Sequence, residues 1–206
     1  MGASINNIML SLPVFRALKR ARLPIATFAL AYVVSASAGI IMVHTGNQFA
    51  INMRDNIVST SQNSTILIAY RSGNRLGAAF LDFASNLFLG AVTQTVGGLG
   101  VIFPYPVAAY RGWVGGIVSI DGNHASRLAS PSEAAYYISV MVLQLIPYSL
   151  AGGAGVNLGL AYLRPPPYYK GDRWFGIPKE AVLDALRIYV LVVHLFLAAS
   201  LIEFLT

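Results

Sequence analysis

Five apolar stretches divide this chain, at Leu23–Val43, Ala84–Phe103, Tyr105–Ile120, Ala135–Leu163 and Ile188–Leu205. No segment between them is long enough to hold a soluble domain. A helix needs about 20 predominantly apolar residues to cross the ~30 Å hydrocarbon layer, and four of the stretches come near that length. The third falls short, at about 24 Å for a rise of 1.5 Å per residue. The pattern predicts an all-α polytopic membrane helical bundle with about five transmembrane helices, plus an external interfacial amphipathic segment.

Composition supports that class. Apolar residues make up 56% of the 206 positions and charged residues 11%, against about 25% charged in an ordinary soluble domain. A net charge of +6 would suggest nucleic acid in a soluble protein; in a bundle of spans it reads as topological charge, and no nucleic-acid partner is expected. The absence of cysteine excludes disulfides, thiolate metal sites and Cys-ligated iron–sulfur clusters. One integral membrane domain is expected. Residues 1–22 form a basic cytoplasmic or interfacial N-terminus, 23–43 the first span and 44–83 the external segment. Residues 84–163 hold spans two to four, 164–187 a cytoplasmic loop and 188–206 the last span.

Orientation follows from where Lys and Arg fall, since cytoplasmic loops carry an excess of them. Arg16, Lys19, Arg20 and Arg22 precede the first span with no acid among them. The 164–187 loop carries Arg164, Lys170, Arg173, Lys179 and Arg187, and Arg111 is expected near an inner turn. Only Arg54, Arg71, Arg75 and Arg127 are left for the other side, a split of ten to four. The expected location is the cell membrane, with a cytoplasmic N-terminus and an external C-terminus. Ser35 to Ala38 imitates a leader cleavage site, but the apolar run before it exceeds a typical signal-peptide core, so a retained span is expected. Ile8, Leu12, Phe15 and Leu18 recur near helical spacing beside the basic cluster, a pattern suited to gripping lipid headgroups.

Small and polar residues recur along the later spans. In the second, Asp82, Asn86, Gly90, Thr93, Gly97 and Gly100 fall within an arc of about 80° at 100° per residue. Gly112 and Gly115 continue the theme in the third span, and Gln144, Gly152, Gly155 and Gly159 in the fourth. Membrane helices associate through small residues that let backbones approach, with polar side chains bonding across. Asn86, Gly90, Thr93, Gly97, Gly112, Gly115, Gly152, Gly155 and Gly159 are therefore expected at helix-packing faces, with spans two and four in close contact.

Charges at membrane depth are costly and normally pair or face a cavity. Arg71, Arg75 and Asp82 share one face if their segment is helical, and with Gln144 and His194 they make up the expected polar network. His194, in mid-span, is expected to bond within the bundle core, and Glu203 to be a solvated end residue. Nothing resembles a zinc-protease helix, a nucleophile elbow or a phosphate loop. The three histidines, His44, His124 and His194, are scattered. No catalytic, cofactor or metal site is expected.

Ser85-Asn86 through Gly90, Arg111-Gly112-Trp113-Val114-Gly115-Gly116, Pro147 followed by Ala151-Gly152-Gly153-Ala154-Gly155, and Ala198 through Glu203-Phe204 stand in a particular order. That order resembles the stage II sporulation protein M family of integral membrane proteins. In place of two of the family's asparagines stand Ser85 and Arg111, and Gln144 is the polar residue nearest to where the family has a glutamate. The resemblance implies a non-enzymatic scaffold working with membrane-remodelling partners. Two functions are weighed: a scaffold or assembly subunit of a larger membrane complex, and a small permease or channel subunit with glycine-lined helices around a solute path. Either would have membrane lipids and other subunits, or further copies of itself, as partners.

Overall fold

Short polar residues set where the helices begin. Asn47, Ser64, Asn74 and Ser130 each accept a hydrogen bond from the backbone N–H three positions on, satisfying donors that a helix start leaves free. Gly46 and Gly73 adopt φ of +74° and +84°, where a side chain would be strained, and turn the chain between helices. In the computed structural model, which describes residues 13–205, the outcome is a run of helices. These are α1 (Pro13–His44), α2 (Gln48–Ser61), α3 (Thr65–Arg71), α4 (Arg75–Gly100), α5 (Pro104–Ile117), α6 (Pro131–Leu163) and α7 (Lys179–Leu205). Before α7, β1 (Arg173–Trp174) and β2 (Ile177–Pro178) pair antiparallel around Phe175 and Gly176, both at positive φ.

Four helices, α1, α4, α6 and α7, are long and apolar enough to cross a membrane. The molecule is an all-α helical membrane bundle. The third apolar stretch becomes α5, whose 14 residues reach about 21 Å. It runs parallel to α1 at backbone contact: a Cβ on Gly112 would strike the Tyr32 carbonyl, one on Gly116 the Ala36 carbonyl, and one on Gly39 the Trp113 carbonyl. The expected external segment resolves into α2, α3 and the first turns of α4. Two spans start earlier than hydropathy indicated. The Ser130 cap and Pro131 begin α6 four residues ahead of Ala135, and α7 begins at Lys179 rather than Ile188. Of the amphipathic N-terminal pattern, Ile8 and Leu12 lie outside the described residues; Phe15 is exposed and Leu18 packs on the core.

The geometry of α4 decides which of its faces is used. Ser85–Val92 is π-helical, with backbone bonds reaching five residues instead of four. A π turn holds one residue more than an α turn, so everything after it is rotated by about 100° relative to a uniform helix. Before the π segment the expected stripe holds: Asp82 and Asn86 face inward together, and a Cβ on Gly90 would meet the Tyr148 ring. After it, the stripe slips by one. Gly98 packs on the Gly155 backbone, whereas a Cβ on Gly97 would meet nothing within 4 Å. Thr93 is exposed and bonds back to the Phe88 carbonyl. Thr95 instead reaches the Ala151 carbonyl and the Tyr189 hydroxyl, tying α4 to α6 and α7.

Around this framework the main core gathers Tyr148, Ile188, Val192 and Phe196 with the small residues of α1, α4 and α6. Leu30, Val34, Leu89 and Ile102 point outward, 62%, 59%, 74% and 72% exposed, as a lipid-facing surface requires. The bundle has two ends. The start of α1 and the 164–178 loop form the basic end. The opposite end holds α2, α3 and the 118–130 loop.

Candidate functional site

Nearer the opposite end, α4, α5, α6 and α7 converge on a polar seam inside the bundle. Asp82 accepts hydrogen bonds from Asn86 at 3.0 Å and from Ser200 of α7 at 2.7 Å. The Tyr148 hydroxyl of α6 donates to the Asn86 carbonyl oxygen. The Arg111 guanidinium of α5 lies 4.3 Å from the centre of the Tyr148 ring, whose other side takes the edge of Phe196. An Arg over an aromatic face is held by the ring quadrupole, more strongly where water is excluded. Arg111 is therefore not the inner-turn charge that hydropathy suggested; it lies within the bundle, on the second turn of its helix.

Above the seam a cleft opens to the opposite end. Its outer part, of about 640 Å³, lies between Asp121, Arg127, Glu133 and Tyr137. The deeper part, of about 260 Å³, is lined by Tyr32, Gly115, Gln144 and Glu203, and shares Arg127, Tyr136 and Tyr137 with the outer part. A narrow apolar groove leads from Tyr136, Gln144 and Glu203 toward Leu143 and Ile202. Loop geometry holds the rim. The Asp121 carboxylate accepts from the N–H groups of Asn123 and Ala125 at 2.8 and 2.9 Å, and these bonds hold it below the usual carboxylate range. Arg54 donates to Asp55, which also faces His124 at 3.0 Å, and the Arg54 bond is the main cause of a lowered Asp55 carboxyl. His44 meets Ser126 at 2.7 Å. Helix α2 and the 118–130 loop are thus stitched together beside the cleft.

The basic end carries a second cluster. Asp184 of α7 is fully buried and receives Arg20 of α1 at 2.9 Å and Arg187 at 2.8 Å. Both guanidinium groups also reach Glu180, at 3.3 and 2.7 Å. Tyr169 donates to Asp184 at 3.1 Å and accepts from Asn157 at 2.8 Å. Burial pushes the Tyr169 hydroxyl well above its ordinary value, which keeps it a donor. The stiff Pro165-Pro166-Pro167 run delivers Tyr168 and Tyr169 under the Arg20 guanidinium, 5.6 and 5.5 Å from their ring centres.

The predicted polar network is only partly assembled. Asp82 lies in the seam, and Gln144 lines the cleft beside Glu203. Arg71 and Arg75 do not join them. Ser72–Asn74 interrupts the helix between the two arginines, with Gly73 at positive φ, so the assumed common face does not exist. Arg71 reaches the Gln62 carbonyl at 3.4 Å, and Arg75, in the first turn of α4, lies 5.8 Å from the centre of the Tyr70 ring. His194 is likewise not in the core: it is exposed and its Nδ1 meets the Val190 carbonyl of its own helix. That local bond meets its hydrogen-bonding need without a partner helix. Among the packing glycines, Gly152 faces Phe28 of α1, Gly155 the Thr95 backbone, Gly159 the Gly98 and Leu99 carbonyls, and Gly115 the Tyr32 hydroxyl.

The basic-end cluster escaped sequence reading, although one signal was there. Glu180, Asp184 and Arg187 stand at helical spacing on one face, and Asp184 interrupts an apolar run. No group of three side chains suited to a metal ion occurs among the described residues. The seam and cleft offer one cation, several hydroxyls and carboxylates, and no activated nucleophile. No family model matches this chain, and no curated protein or solved structure does.

Proposed function

We propose that the chain is a non-enzymatic integral membrane subunit, a scaffold or assembly component of a larger membrane complex. One observation carries this reading: charged side chains at membrane depth are spent on joining helices. Asp82 ties α4 to α7, Arg111 ties α5 to α6, and Asp184 ties α7 to α1 and the 164–178 loop. Glycine faces press on neighbouring backbones, as Gly98 does on Gly155 and Gly112 on Tyr32. A bundle so internally bonded suits a fixed framework. The resemblance to the stage II sporulation protein M family points the same way, toward work with envelope partners. The proposed setting is the cell membrane, with the basic end cytoplasmic.

Purification of the tagged full chain from its own membranes in mild detergent tests this. Stoichiometric, chemically diverse partners are expected. Recovery of a homo-oligomer alone, which on reconstitution conducts solutes into vesicles, overturns it. That outcome belongs to the second reading, a small permease or channel subunit. The observation favouring it is the cleft, open at one end and lined at depth by Gln144 and Glu203.

A further inference from the structure

The polar–apolar boundary at the basic end is built unlike the rest of the surface. Helix α1 leaves its basic segment at Arg22 and enters its apolar run at Leu23, which is 69% exposed. At that boundary an open pocket of about 400 Å³ is bounded by Lys19, Arg20, Arg22, Leu23 and Tyr168. The charges around it do not cancel. Arg20 and Arg187 are committed to Glu180 and Asp184, two cations against two carboxylates. Lys19 and Arg22 remain exposed with no acid beside them in the pocket. Tyr168, half exposed, forms the wall across from α1 and is fixed there by the ring contacts with Tyr169 and Arg20.

We propose that this pocket binds a phosphate-bearing anionic headgroup, supplied by a membrane lipid. Two uncompensated cations three residues apart on one helix suit a phosphate oxyanion, and a tyrosine hydroxyl adds a donor. A free phosphate would need nothing more. The pocket, however, continues onto Leu23, the first residue of an apolar face, and a ligand that uses both parts has a charged head and a hydrocarbon tail. The neighbouring hairpin sits at the same boundary. Phe175, at φ 52°, is fully exposed at its tip, and Trp174 is 44% exposed beneath Lys179, the arrangement of side chains anchored at headgroup depth. Basic pockets between helices on the cytoplasmic side are where anionic lipids are recognised, each Lys or Arg contributing through its charge.

Native mass spectrometry of the full chain in mild detergent tests the assignment with dioleoyl phosphatidylglycerol as probe. Phosphatidylcholine is the zwitterionic control and inorganic phosphate the competitor. Preferential retention of phosphatidylglycerol is expected. It should weaken roughly fivefold for each charge removed by Lys19→Gln and Arg22→Gln, and persist in Lys19→Arg. Arg71→Gln, at the opposite end, should leave it unchanged. Both substituted side chains are exposed, so helical content by circular dichroism should not change. Equal retention of the two lipids, or retention unaffected in the Lys19→Gln/Arg22→Gln double variant, overturns the proposal. Displacement of the lipid by millimolar inorganic phosphate overturns the lipid as source.

Discussion

At Asp184 a carboxylate sits with 0% of its surface exposed, held by two arginines and a tyrosine. Removing one partner of a buried ion pair leaves the others uncompensated. Arg20 and Arg187 are 24% and 28% exposed, so water recovers part of the loss. Asp184→Ala should still destabilise by on the order of 3 kcal/mol, read as a lowered melting temperature in detergent. Asp172→Ala, on the exposed loop, should be nearly silent; equal effects would show that the clusters are energetically equivalent surface pairs. Asp121 works differently, by accepting two backbone N–H bonds that lower its pKa. A lowered carboxyl stabilises above its ordinary value, and the contribution disappears as pH falls through the lowered one. Exchange protection of the Asn123 and Ala125 amides should therefore be full at neutral pH and decline in acid. In Asp121→Asn it should be weak throughout and without that pH dependence.

Helix α4 shows at the scale of an element how a correct rule applied through the wrong geometry fails. Gly98→Leu should cost more than Gly97→Leu, because only Gly98 has a backbone, that of Gly155, where its Cβ would go. Overpacking costs about 1–3 kcal/mol where the neighbours cannot move, while Gly97→Ala should gain helix propensity of roughly 0.5–1 kcal/mol. Thermal stability ranked the other way would place the slip elsewhere. The stripe Asp82, Asn86, Gly90 was legible in the sequence because it precedes the π segment. Thr93 and Gly97 were misplaced because a periodicity of 100° per residue has no means of registering an added residue in a turn. The joining of Arg71 with Arg75 failed for a related reason. Gly73 was visible, but a spacing rule carried across it treated two helices as one. His194 could not be placed because a histidine that bonds its own helix carbonyl leaves the same sequence mark as one that bonds across the core.

For the whole molecule, the helical membrane class was legible because it rests on hydropathy, a property summed over whole segments. The candidate site was less so. Its members come from four helices, and their meeting depends on rotations that no single segment encodes. With Arg111 inside the bundle, the basic end keeps nine cations, Arg16 through Arg22 and Arg164 through Arg187, against Asp172, Glu180 and Asp184. That imbalance predicts that the basic end faces the cytoplasm. The chain has no cysteine, so Ser61→Cys and Asp172→Cys can each be labelled alone. An impermeant thiol reagent applied to intact cells should reach Ser61→Cys and spare Asp172→Cys; the reverse pattern would invert the orientation.

The Arg20–Asp184 bond joins residues 164 positions apart, one on the first described helix and one on the last. A ribosome delivers these partners at opposite ends of its work. Arg20 must wait through the synthesis of every intervening pass, and the triple-proline run, already positioned, presents Tyr168 and Tyr169 to an arginine that still lacks its acid. The arrival of α7 closes the bundle and discharges that waiting cation in one event. Assembly of this protein thus has a built-in finishing signal. A nascent chain stopped ahead of residue 184 keeps an unmatched guanidinium at its membrane boundary, a mark by which quality control can tell an incomplete bundle from a finished one.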